Sequence, residues 1–429
     1  MSEKEQAQLW ELGYNSIKDL EAPLGILASG RQEAYGCIFG RDSLITSLEL
    51  LEAYKRTNKA YFLELVKKVL LNLASLQGTQ VQIESGEEPG KIIHEYRPEG
   101  HEHLTKSAEN PWYVYPDNQM RNYDSVDSTP LFLLTVHHYY VVSKDKATIE
   151  KLQPNILAAL TWLTVYGDTN NDGFIDYRFH PDRTFGGLKS QSWMDSNESL
   201  FYEESNDFPL YPIAPVEVQA YTFAALRAWS DYFVLVKPKL AKELQIKATA
   251  LKELFNKKYV LKHGNRVTLA FALDGNGRRL TAARSSMGHV LFAVYQGPSG
   301  AECILDEQYI EALRMRLLSR DLFVPSAGVR TLSVRSPHFD PISYHNGSIW
   351  PHDTAMLAQG LRNFGYENDA KRVERALLKA YVHFKTPIEL FGYHQRSYRT
   401  YAHPNGSGAC QVQAWSAASL LAITGKLPQ

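Results

Sequence analysis

The chain runs to 429 residues, long enough to bury a large core, with Lys+Arg 46 against Asp+Glu 47 and a formal net charge of −1. That balance leaves no basic surplus to neutralise phosphates, which argues against nucleic acid as a partner. Aromatic residues make up 12 % of the chain, a supply of flat rings suited to sugar faces as well as to core packing. In chain order, apolar residues recur at three- and four-residue steps over 43–54, 60–76, 129–142, 146–165, 217–234, 237–259, 287–295, 307–318, 354–364, 367–384 and 413–424, and each stretch is predicted helical. Strand signal is thin, the best candidate being 265–271. No low-complexity linker or composition break divides the chain, so one domain over 1–429 is expected.

The predicted helices alternate in character. One kind is flecked with charge, as in 367–379; the other is apolar and small, as in Leu131-Phe132-Leu133-Leu134 or Ala414-Trp415-Ser416-Ala417-Ala418. A two-layer helical toroid needs that pairing, with an outer ring facing water and an inner ring buried on both sides. The expected fold is therefore all-α, an (α/α)6 barrel.

Polar loops precede nearly every inner-type helix: Gly40-Arg41-Asp42, Tyr123-Asp124-Ser125-Val126-Asp127, Pro215-Val216-Glu217, Ser285-Ser286-Met287-Gly288-His289, Trp350-Pro351-His352-Asp353 and Gln411-Val412-Gln413. Parallel inner helices would gather these loops, and their helix dipoles, at one pocket. Individually, Asp42, Asp127 and Ser128 could be ordinary N-caps. The densest loop, Tyr344-His345-Asn346-Gly347-Ser348-Ile349-Trp350-Pro351-His352-Asp353, combines imidazoles, an amide and an indole, the mixture that a carbohydrate site requires.

Inverting hydrolysis of a glycoside needs one protonated carboxyl and one carboxylate that holds a water. Asp195, in Ser192-Trp193-Met194-Asp195-Ser196, is the candidate acid, because the nearby indole can raise its pKa; the pattern alone fits an Asx turn equally well. Glu389, between Ile388 and Leu390, is the candidate base, although such a Glu could also point outward from a short strand. Asp168, Asn170, Asp172 and Gly173 copy the first half of a calcium loop, but position twelve is Phe179 where a bidentate Glu belongs. A self-bonded Asx turn is expected there in preference to Ca2+, and no cofactor is expected elsewhere.

Taken in order, Phe39-Gly40-Arg41-Asp42-Ser43, Lys91-Ile92-Ile93-His94-Glu95, Ser125-Val126-Asp127-Ser128-Thr129-Pro130, Ser192-Trp193-Met194-Asp195, Pro215-Val216-Glu217-Val218-Gln219, Gly328-Val329-Arg330-Thr331 and the 344–353 loop resemble the amylo-α-1,6-glucosidase domain of glycogen debranching enzymes and their bacterial relatives. Glu389-Leu390 and Gln413-Ala414-Trp415-Ser416 complete the series. The resemblance implies an inverting, exo-acting α-glucosidase on a six-hairpin barrel. Asp195 is similar to its general acid, and Glu389 lies where the base is expected. Arg41 and Asp42 would hold hydroxyls of the nonreducing glucose, with Trp350, His345 and Asp127 completing that subsite. Glu217 and Gln219 would support the pocket near the leaving group, and Trp193, Asn346, His352 and Trp415 are the remaining candidates for sugar contact.

The predicted helices begin almost at Leu9, so neither the β-sandwich that many relatives carry ahead of this domain nor the transferase module of the eukaryotic enzymes is expected here. A short α-glucoside or small solute of trehalose, sucrose or glycosylglycerate type is therefore an alternative to a branched polymer. Further alternatives are a sugar phosphorylase and a non-catalytic carbohydrate-binding toroid. Cys37, Cys303 and Cys410 have no CxxC or metal spacing, so neither disulfides nor zinc are expected. No secretion signal or membrane span is visible, so cytoplasm is the expected location. The sequons at Asn346 and Asn405 are then expected to be bare. Carbohydrate is the expected partner, and the residues do not fix an oligomeric state.

Overall fold

The structure, a computed structural model, describes residues 2–264, 266–402 and 408–425. The Asn405 sequon and Asn265, the first residue of the predicted strand, lie outside the described residues. In chain order the helices are α1 (Glu3–Leu20), α2 (Gly40–Thr57), α3 (Ala60–Ser75), α4 (Glu102–Thr105), α5 (Ser128–Ser143), α6 (Lys146–Val165), α7 (Val216–Phe233), α8 (Pro238–Lys258), α9 (His289–Phe292), α10 (Glu307–Leu317), α11 (Pro351–Asn363), α12 (Glu367–Phe384) and α13 (Ala414–Thr424). The first helix, expected to begin almost at Leu9, starts earlier, at Glu3, on a capping box between Ser2 and Glu5. No described helix is long and apolar enough to cross a membrane.

Two helix types alternate along the chain. In α12 only Ala370, Val373, Ala376, Leu377, Ala380 and Tyr381 are buried, one stripe at three- and four-residue spacing; α3, α6 and α8 follow the same rule. In α2, by contrast, every residue from Gly40 to Leu51 is buried, and α7, α11 and α13 are buried nearly all round. Each fully buried Leu or Val in these helices contributes roughly 1.5–3 kcal/mol.

The chain forms two compact units. The first comprises residues 1–167, 178–195 and 410–429; the second comprises 168–177 and 196–409. In the first, α2 packs on α3, α5 and α13, and α1 packs on α13. In the second, α7 packs on α8 and α9, and α11 packs on α9 and α12.

The expectation of an almost purely helical chain is corrected by short strand pairs, several of which sit just ahead of buried helices. Ile38–Phe39 leads into α2 from a three-stranded sheet with Glu95–Arg97 and Met120–Asn122. Ala214–Pro215 leads into α7 from a sheet with Ala272–Leu273 and Arg279–Leu280. Strands this short carry too few residues for a period-two pattern to register. The predicted 265–271 strand is half of a hairpin, Val260–His263 with Arg266–Leu269.

Candidate active site

In the first unit, three buried helices are tied together at their N-termini. Gly40 opens α2, and a Cβ there would collide with the Ile93 carbonyl, so glycine permits the helix to start directly against the neighbouring strand. In the next position, the Arg41 guanidinium donates to Asp127 through Nε at 2.6 Å and Nη2 at 3.2 Å, linking α2 to the start of α5. Gln413, ahead of α13, donates through Nε2 to Asp42 Oδ1 at 3.2 Å. Asp127 occupies the N-cap position of α5, yet its side chain makes no cap bond; it accepts Arg41 and the Ser125 hydroxyl instead. The N-cap alternative for Asp127 is thereby corrected: the buried guanidinium takes the carboxylate, and the Ser125 hydroxyl accepts the Ser128 amide at 3.3 Å instead.

Arg41 also reaches Asp195. Its Nη1 donates to Asp195 Oδ2 at 2.9 Å, so one guanidinium bridges two carboxylates. Burial opposes the charge on Arg41, but Asp127 and Asp195 raise its pKa above the ordinary arginine value. Asp195 sits at the edge of this cluster with 24 % of its side chain exposed. Burial raises its pKa, Arg41 pulls it down, and the nearby Asp127 charge adds to the rise. The segment leading to Asp195 is pinned by Asp124, which accepts Arg183 Nη1 at 2.7 Å and the Leu188 amide at 2.9 Å. Trp193 and Trp415 pack edge to face, centroids 5.8 Å apart, and both are buried.

His94 also belongs to this region and was not singled out in the sequence. It packs edge to face on Phe39 at 5.3 Å, and burial, then Arg41 and Lys91, push its pKa well down, so the ring stays neutral.

The second unit repeats the device with different groups. Tyr221 of α7 lies 2.6 Å from His289 Nδ1, and His289 Nε2 lies 2.9 Å from Asp353 Oδ1, which joins α7, α9 and α11 through a buried chain. With Asp353 accepting from Nε2–H, Nδ1 is left to accept the Tyr221 hydroxyl.

Glu389 is buried, and its Oε1 accepts the Tyr344 hydroxyl. Tyr344 packs on Trp350 at 5.0 Å and on Tyr401 at 5.2 Å. Burial, then Glu198 and Glu389, push the Tyr401 pKa up to about 12. The loop turns at Gly347, where φ is +150° and a Cβ would meet the Asp340 carbonyl at 2.5 Å.

Several expected sugar contacts are committed to protein groups. Trp350 is 1 % exposed and its indole N–H donates to the Tyr344 carbonyl at 3.0 Å, while His345 stacks on its face at 5.1 Å. His345 Nδ1 lies 2.8 Å from the Ser196 hydroxyl. Asn346 donates to the Glu198 carbonyl at 2.7 Å and accepts Arg284 Nη2 at 2.8 Å. His352 is fully buried, edge-on to Trp350. These residues hold the loop in shape. Glu217 is buried in the first turn of α7, where the helix dipole favours its charge.

Gln219, expected to support the pocket, bonds to backbone. It is fully buried, and its amide donates to the Ile175 and Pro215 carbonyls at 2.7 and 3.1 Å while accepting the Ile175 N–H at 3.0 Å. Both amide hydrogens are therefore spent on backbone, and Gln219 anchors the 168–177 loop instead.

Arg284 is the residue that sequence reasoning missed most plainly. Its guanidinium donates to the carbonyls of His345 at 2.9 Å and Ser199 at 2.6 Å, and it lies between the rings of Phe201 and Phe271 at 5.1 and 4.9 Å. Burial lowers its pKa to about 9. The only hint was an arginine directly ahead of a helix-entry loop.

The calcium-like loop bonds to itself. Asp168 accepts the amides of Asp172 at 3.1 Å and Gly173 at 2.9 Å, and Asp172 accepts that of Phe174 at 3.0 Å. Asp168, Asp172 and buried Asp176 are near enough to share an ion. Burial raises the Asp176 pKa to about 7, against hydrogen bonds from Thr169.

Residues 102–387 match the family described as the mannosylglycerate hydrolase MGH1-like glycoside hydrolase domain. The chain belongs to that family. It is a hydrolytic enzyme acting on glycosides. No protein of curated function matches the sequence. Among solved structures, the chain is similar to a wild-type glycosidase, with a TM-score of 0.62 and 15 % identity over 100 % of both chains. It is also similar to the GH63 mannosylglycerate hydrolase of Thermus thermophilus in complex with Tris and D-glycerate, with a TM-score of 0.62 and 14 % identity over 97 % of this chain and 99 % of that one. At such identities the likeness shows a shared fold. The glycosidase superfamily suggested by the motif series stands; within it, the matching family is the MGH1-like one and not the amylo-α-1,6-glucosidases.

Proposed function

We propose that the chain is an inverting α-glycosidase on an (α/α)6 barrel that hydrolyses a small glycosylglycerate-type solute. The alternation of all-round-buried and one-stripe helices supports the barrel. The family's description supports the small solute over branch stubs of a polymer. Asp195 is the proposed general acid: a partly exposed carboxyl whose pKa burial raises while Arg41 holds it in place. That combination is the observation that carries the reading. Glu389 is the proposed base, oriented by Tyr344 so that its carboxylate can take a proton from water.

The test is hydrolysis of α-mannosylglycerate, α-glucosylglycerate and an α-1,6-branched dextrin, with the anomer of the released sugar followed by NMR. The expected product is the β-anomer from a glycerate glycoside, without any need for phosphate. Asp195→Asn and Glu389→Gln should each lower kcat by about 10²–10⁴ while the chain stays folded. A retained α-product would refute the two-carboxyl assignment. Faster cleavage of the dextrin than of either glycerate glycoside would restore the debranching reading.

A further inference from the structure

The second unit also carries a cleft of about 470 Å³ that none of the candidate catalytic or sugar-contact residues lines, a volume within the range of small-ligand sites. The hairpin Val260–His263 and Arg266–Leu269 forms one side; α10 and the turn after it form the other. His263, Arg266, Arg316 and Arg335 bring basic groups to it, and Asp321 is the one acid among its lining residues.

That acid is already engaged. Asp321 accepts Arg316 at 2.9 and 3.1 Å through its two oxygens, together with the hydroxyls of Ser319 at 2.7 Å and Ser333 at 2.5 Å. Although burial pushes its pKa up, those bonds hold it at about 2, so it stays ionised and cancels the Arg316 charge. Arg335 stands 3.9 Å from the same carboxylate, with 72 % of its side chain exposed. Arg266 has no ion pair among the described residues. Three guanidinium groups thus have one carboxylate between them, so two positive charges, beside an imidazole, are uncompensated in one concave site. This happens in a chain whose overall charge is −1. Met315, 62 % exposed, adds an apolar surface at the rim.

We propose that this cleft binds a small phosphate monoester, with Arg266 and Arg335 on the phosphoryl oxygens, His263 as a further donor and Met315 against the organic part of the ester. Guanidinium forks approaching from two elements suit a tetrahedral dianion with three free oxygens, since each can take two of them with one oxygen shared. Methionine, flexible and polarizable, adapts to an ester group of variable shape.

Isothermal titration of the whole chain with phenyl phosphate tests this, with phenol and inorganic phosphate as comparison probes at matched ionic strength. Saturable one-site binding is expected, at least about tenfold weaker in an Arg266→Ala, Arg335→Ala double variant, whose two exposed side chains leave the packing intact. Phenol should not bind, and inorganic phosphate should bind more weakly than phenyl phosphate. Absence of saturable binding up to several millimolar phenyl phosphate would overturn the proposal. So would equal affinity in the double variant, or phenol binding as well as its phosphate ester.

Discussion

Replacing Asp127 by Asn tests how Arg41 and Asp195 are coupled. The Asp127 carboxylate is fully buried and accepts three bonds, two from Arg41 at 2.6 and 3.2 Å and one from Ser125 at 2.6 Å. An amide keeps the shape but turns N–H groups toward the guanidinium, and Arg41 loses one of its two counter-ions. Removing one partner of a buried ion pair costs about 3–5 kcal/mol. Asp195 remains at 2.9 Å, which places the loss at the lower end, about 3 kcal/mol. Urea unfolding should show a lower midpoint with an unchanged slope. The catalytic consequence has a definite sign. Without the Asp127 charge, Asp195 loses a neighbour that raises its pKa and gains a larger share of the Arg41 charge. Both effects favour the ionised form, so the Asp195 pKa falls. A general acid works while protonated, and the alkaline limb of kcat/KM should move to lower pH by on the order of one unit. A stability loss below about 1 kcal/mol, or a limb that stays put or moves to higher pH, would refute the coupling.

Other outcomes follow from the same geometry. Gln219→Leu leaves the Ile175 N–H and carbonyl without their side-chain partner, and should cost about 2–3 kcal/mol in urea unfolding with KM unchanged; a raised KM at normal stability would place Gln219 in the pocket. Asp176 has its folded pKa raised to about 7, above an unfolded value near 3.9. Its contribution is therefore complete below about pH 4 and lost as pH rises through about 7. Asp176→Asn should flatten the decline in stability between about pH 4 and 7, and parallel pH profiles of the two proteins would refute the burial argument. Since the Asp168 loop bonds to itself, EDTA should shift Tm by less than about 1 °C, whereas a rise of several degrees with Ca2+ would show that the ion belongs there.

The helices were largely legible because helical periodicity is local: a stripe such as Val373, Ala376, Leu377 and Ala380 is visible within three turns. The exceptions have reasons. At the start of α1 the apolar residues are thinly spread among charges, which hid its first turns, and the strands before α2 and α7 are two residues long. Motif order singled out Asp195 and Glu389 as candidates, and the polar helix-entry loops drew attention to Arg41, Asp127, His289 and Trp350. It did not separate groups available to a ligand from groups already bonded. Asn346 and Gln219 have the chemistry of sugar binders, but their amides are taken by Arg284, Glu198, Ile175 and Pro215.

By itself, the sequence determined which segments are helices, which of those are buried all round, and which polar residues stand at their entrances. Those properties depend on neighbours three or four positions away. Tertiary structure decided the partners: Arg41 with Asp127 across 86 positions and with Asp195 across 154, Arg284 with Asn346 across 62, and Tyr344 with Glu389 across 45. A hydrogen bond or ion pair forms wherever folding brings donor and acceptor within about 3 Å, and no periodicity in the chain records that meeting.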